Sequence, residues 1–162
     1  MALPLLALDQ IRRTERMPQS FLPVSSRELP RFAGVPTFMR LPYIPLEHNE
    51  VDQVQVGFVG LPWDGGTTNR PGARHGPRAL RDASTMIRMI HPVHDFSPFE
   101  TANCADMGDV NPNPVDVQDT LARVTAFYDK VVERGIRPLT AGGDHLVSLP
   151  VLRALAKARP LG

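Results

Sequence analysis

The sequence predicts an α/β fold, a parallel sheet with helices on both faces. Three observations carry that expectation. Residues 54–61, 104–107 and 136–141 are short apolar runs of strand length, each is followed by a turn rich in glycine, asparagine or proline, and each turn leads into apolar residues spaced by three and four. Strand, turn and helix repeated in this order is how parallel strands joined by crossover helices are encoded. At 162 residues, with 42% hydrophobic and 22% charged residues, the chain has the length and composition for one domain core.

Residues 1–50 are set apart as a proline-rich arm. Pro18, Pro23, Pro30, Pro36, Pro42 and Pro45 exclude long helices and central strands there, and the expected form is an extended lead-in over a body formed by residues 51–162. In the first strand Val54, Val56 and Phe58 share one face and Val59 and Leu61 the other, the pattern of a strand buried on both sides. The loop 64–76 is too long for a tight turn, and loops of that length tend to carry function. Pro77 suits a helix's first turn. Beyond it Leu80, Ala83, Met86, Ile87 and Ile90 mark a face expected to be buried, with Arg78, Arg81, Asp82 and Arg88 outside. Arg81 also reads, with Arg70, Arg74 and Arg78, as a salt-bridge or subunit-contact residue.

Pro92 and Pro98 close that helix, and residues 104–107 form the next strand. Asp116 is placed to cap the following helix, Asp119 to meet its positive end, and Gly135 to terminate it. Leu121, Val124, Tyr128, Val131 and Val132 are its inward residues. The third strand, 136–141, is expected to be buried, and Ser148 to cap a last helix with Pro150 in its first turn. Val151, Leu152, Leu155 and Ala158 should face inward, with Pro160 and Gly162 as the stop.

A net charge of +1 provides no basic surface for nucleic acid, and no apolar run reaches the ~20 residues of a membrane helix. A lone cysteine, Cys104, excludes an internal disulfide framework and reads as a small buried hydrophobe in a reducing, cytoplasmic setting. Residues 1–8 are apolar, but Arg12, Arg13 and Arg16 follow them, the reverse of a secretory signal. An organelle-targeting segment fits only in part, because Asp9 and Glu15 interrupt it.

The chemistry concentrates in residues 136–152, IRPLTAGGDHLVSLPVL. Gly142 and Gly143 allow a sharp turn after the strand, which places Asp144 and His145 at its carboxyl end, the edge where open α/β sheets bind ligands. His145 is a candidate metal ligand and Asp144 a carboxylate able to orient it; the alternative is a turn histidine bonded to backbone. Asp64 and Asp109 also follow strands, with turn stabilisation and substrate contact both open. His48, His75, His91 and His94 read as polar surface residues. In the loop, Thr68 and Asn69 can hydrogen-bond the far end of a substrate, while Thr67, Thr68, Arg70 and Arg74 leave anion binding as a rival, although no P-loop or dinucleotide motif is present.

Four stretches in order resemble the ureohydrolase family of arginases, agmatinases and related guanidino-acid hydrolases. They are Gly142-Gly143-Asp144-His145, residues 60–78 (GLPWDGGTTNRPGARHGPR), residues 30–42 (PRFAGVPTFMRLP) and Asp106-Met107-Gly108-Asp109-Val110. Leu146 stands where the family signature has a small hydroxyl residue. The resemblance implies the first half of an arginase-like three-layer fold, two Mn²⁺ per complete site with His145 as one ligand and Asp144 as its supporting partner, and Thr68 and Asn69 at the substrate rim. It further implies hydrolysis of a linear guanidino compound, agmatine-like or a guanidinobutyrate or guanidinopropionate, to an amine and urea by a homo-oligomer, trimeric or hexameric. The family's Asp-Ala-His-x-Asp and Asp-x-Asp signatures do not occur, so no catalytic residue is assigned and the chain is expected to be part of a longer enzyme. A half-length, non-catalytic binding or assembly module is the rival reading.

Overall fold

The computed structural model describes residues 21–158. The apolar residues 1–8, the arginines that follow them, Pro160 and Gly162 lie outside the described residues.

Strand β1 (Val56–Leu61) is central, with β2 (Cys104–Asp109) parallel on one side and β3 (Arg137–Gly142) parallel on the other. Alternation along β1 sends Gly57, Val59 and Leu61 to one layer and Val56, Phe58 and Gly60 to the other. On the first side Val59, Leu61, Met107 and Ile136 pack with Val124, Tyr128 and Val131 of helix α2 (Val117–Glu133) and Ala154 of helix α3 (Ser148–Ala158). Val56 and Phe58 pack on the second side with Leu41, Phe99 and Cys104. Helix α1 (Gly76–Ser84) lies there too, for a Cβ added at Gly60 would stand 3.0 Å from Pro77 Cβ. Helices therefore cover both faces, as the three-layer expectation requires.

The lead-in packs on this body from Phe21 onward. Phe21 and Ile44 join the first cluster and Leu41 the second. Ile44 N–H donates to the Asp106 carbonyl at 2.8 Å and Asp106 N–H to the Pro42 carbonyl at 2.9 Å, a single bridge beside β2. Pro42 and Pro45 on either side have no N–H to extend it.

Helix α2 follows the sequence closely. Asp116 accepts from Asp119 N–H at 3.0 Å, and Gly135 ends the helix at φ 70°. Tyr128 is fully buried, its hydroxyl 2.5 Å from Thr140 Oγ1, and burial pushes its phenol up to about 12 despite that hydrogen bond. Tyr128→Phe should cost about 1 kcal/mol, read from the urea-unfolding midpoint.

Three expectations need correction. Helix α1 stops at Ser84, where the Ser84 and Thr85 hydroxyls donate to the Arg81 and Asp82 carbonyls, and Leu80, Met86, Ile87 and Ile90 are 42–59% exposed. Its inward face is Pro77, Arg81 and Ser84, because Arg81 reaches two carboxylates of β2 and Ser84 Oγ accepts from Met39 N–H at 2.9 Å. Strand β3 is not buried as expected: Leu139 is 54% exposed, since β3 is the outer strand and pairs only with β1 among the described residues. In α3 the inward residues are Pro150, Val151 and Ala154, while Leu152 and Ala158 face out and Ser148 is the first helical residue instead of its cap. A tight turn, His145–Val147, precedes α3 and rotates its phase.

Candidate functional site

The site residues stand at the carboxyl ends of β1 and β3, which run side by side so that Leu61 pairs with Gly142. Gly142 has φ 130° and Gly143 φ 58°. A Cβ at Gly142 would run into the Leu61 carbonyl oxygen and stand 2.9 Å from Pro77 Cγ, so the chain turns here only because both residues are glycine. His145 follows directly. Its side chain is exposed and lines an open cleft of about 480 Å³ with Thr140, Gly143, Ser148, Val151 and Leu152.

Asp144 beside it bonds to backbone. Oδ1 accepts from Leu146 N–H at 3.0 Å, closing the turn before α3, and Oδ2 accepts from Gly66 N–H at 2.6 Å in the loop after β1. The second of these bonds joins residues 78 apart in the chain.

The loop has its own anchor in Asp64, which is 3% exposed. Its carboxylate accepts from Gly72 N–H at 2.7 Å, Arg74 N–H at 3.3 Å and Arg74 Nε at 2.5 Å, and also meets Arg74 Nη2. The Arg74 guanidinium, joined by the Gly72 and Arg74 amides and opposed by desolvation, lowers the Asp64 carboxyl to about 2. A carboxylate depressed in the folded state adds stability above its ordinary value of 3.8, lost as pH falls through the folded value. Acidification from pH 4 towards 2 should therefore lower the protection of the Gly72 and Arg74 amides, relative to their intrinsic exchange rates, selectively, measured by mass-resolved exchange.

Thr68 and Asn69 are exposed on the free part of this loop, with Arg70 beside them at φ 57°. Gly66, two residues before Thr68, is tied to Asp144, so a hydrogen bond joins the loop to the histidine turn. Of the four arginines read as salt-bridge residues, Arg74 and Arg81 pair with carboxylates, and Arg70 and Arg78 are exposed. Arg81 donates from Nε and Nη2 to Asp106 at 2.7 and 2.9 Å and from Nη1 to Asp109 at 2.6 Å. His75, His91 and His94 are exposed and His48 is partly so.

A neutral imidazole is a common metal donor, and a manganese ion would need carboxylate oxygens beside it. In number it does not suffice: among the described residues no three His, Cys, Asp or Glu side chains converge as a metal site. His145 is one donor, and no step can be built on a metal held by it alone.

The profile of the Arginase family matches residues 54–162, which takes in β1, the loop, Asp144 and His145. The chain belongs to the arginase family. It is 50% identical over 86% of its length to a guanidinopropionase of Pseudomonas aeruginosa, covering 43% of that protein. It is 39% identical over 87% of its length to the mitochondrial agmatinase of Gallus gallus, covering 41% of it. A proclavaminate amidino hydrolase structure from Streptomyces clavuligerus superposes with a TM-score of 0.73 at 35% identity, over 81% of this chain and 42% of that one. This arginase-family chain thus spans about two fifths of the length of the relatives it matches. No helix among its described residues is long and apolar enough to cross a membrane.

Two features of the site escaped sequence reading. The bond from Gly66 to Asp144 leaves no local signal, and neither does the choice of Asp106 and Asp109 by Arg81. The Asp-Met-Gly-Asp motif at 106–109, the last residues of β2, marked the carboxylates without naming their partner.

Proposed function

We propose that the chain forms the amino-terminal part of an enzyme that hydrolyses a linear guanidino compound to an amine and urea, with His145 as one ligand of a two-Mn²⁺ centre. The observation that carries this is His145 itself, an exposed imidazole on a glycine-fixed turn at the sheet's ligand-binding edge. The guanidinium carbon is resonance-stabilised and a poor electrophile. Bound metal would answer that by lowering the pKa of a water to give hydroxide at neutral pH. Within this chain, Gly142 and Gly143 aim the imidazole, Asp144 holds the backbone on either side, and Thr68 and Asn69 offer hydrogen bonds to the substrate's tail. Agmatine is one candidate substrate. The 50% identity to a guanidinopropionase, against 39% to an agmatinase, favours a tail ending in carboxylate. A homo-oligomer, trimeric or hexameric, in the cytoplasm completes the reading.

The test is urea release by the protein purified from its native source, with agmatine, guanidinobutyrate and guanidinopropionate compared, and manganese counted by mass spectrometry. Urea from one of the three, with close to two Mn²⁺ per site, supports the proposal. Neither urea nor bound manganese would hand the chain to the rival reading, a non-catalytic binding or assembly module.

A further inference from the structure

The geometry points to Asp64, Arg74 and Asp144 as a clamp that positions the loop carrying Thr68 and Asn69 against the His145 turn. This rests on the proposed guanidino-hydrolase reading for its substrate, and on hydrogen bonds alone for its existence. Asp64 holds both ends of the loop: its carbonyl accepts from Thr67 N–H at 3.2 Å, and its carboxylate accepts from Gly72 and Arg74. Asp144 holds the loop's first arm through Gly66. Residues 68–71 are left as an exposed tip fixed at three points.

The chemistry of each holder matters. Asp64 is buried three residues past the end of β1, where the loop leaves the sheet. Arg74 neutralises it at short range while remaining half exposed. Its charge is consequently spent inside the loop, where a free guanidinium would repel a cationic substrate carbon. Asp144 ties the loop to the turn before α3, because one carboxylate oxygen accepts from Gly66 N–H and the other from Leu146 N–H. Arg74 is thus a positioning residue, expected to act on how tightly the substrate tail is held and not on the reacting carbon.

Arg74→Ala and Arg74→Lys in the native-source enzyme test the idea, with Asp144→Ala read by amide exchange alone because it neighbours His145. In Arg74→Ala the Gly72 amide should exchange about tenfold faster, and in Asp144→Ala the Gly66 amide likewise. KM for guanidinopropionate should rise about tenfold in Arg74→Ala with kcat within about twofold, manganese content should stay constant, and Arg74→Lys should restore most of both. Unchanged exchange at Gly72 and Gly66 would overturn the clamp, as would faster exchange with KM untouched in an active enzyme. If the wild-type protein releases no urea, the activity reading fails by itself and exchange alone decides whether the clamp exists.

Discussion

His145→Ala should abolish urea release, lowering it by more than about a hundredfold, while leaving thermal stability close to that of the wild type. The first half follows from the metal-donor role proposed for the imidazole, since even partners one step removed from a metal cost about 10–100-fold when lost. The second follows from exposure: the side chain faces the cleft, and surface substitutions away from caps and buried networks stay within about 0.5 kcal/mol. Melting temperature, manganese content and urea release on the same preparation check it. A stable variant that keeps its manganese and its activity would make His145 an ordinary turn histidine. A variant that melts far below wild type would point to a structural role.

Asp106→Ala is expected to destabilise the fold by about 3–5 kcal/mol, because it leaves the Arg81 guanidinium without its buried partner. Asp106 is fully buried. Its carboxylate accepts from Phe38 N–H at 2.9 Å, from Gly108 N–H at 2.9 Å, and twice from Arg81. Removal orphans donors on three segments at once: the lead-in, the end of β2 and α1. Asp109 keeps one bond to Arg81, so the charge is not wholly abandoned. The guanidinium also lies over the Phe38 ring, 4.3 Å from its centroid. Pairing Asp106→Leu with Arg81→Leu should cost less than the sum of the single changes, since no isolated charge then remains. Equilibrium urea unfolding of the four proteins gives the coupling, and additive losses would show that the pair is not coupled.

The sheet and α2 were readable because their signals are local. A six-residue apolar run with glycines at its end, an aspartate before an amphipathic stretch and a glycine after it each name a structure without reference to distant residues. The register of α1 was not readable in that way. Leu80, Met86, Ile87 and Ile90 have helical spacing, yet the helix turns on Arg81, whose partner lies 25 residues further on. Strand β3 was legible as a strand but not as the outer one of the three described, since lateral order in a sheet is a property of all strands together. At the site, glycine chemistry fixed where His145 and Asp144 would stand. Which atoms Asp144 would hold depended on the path of the loop from Asp64, and no spacing rule connects Gly66 to Asp144.

Strand order also dictates a timetable. β1 is made first and sits in the middle, so its two edges wait for partners that emerge later, β2 and then β3. At about 5–20 residues per second, the ribosome delivers Gly142 on the order of ten seconds after Leu61, and throughout that interval one edge of the most apolar strand has no native neighbour. Nascent chains should thus be most prone to capture by chaperones when β1 and β2 have emerged and β3 has not.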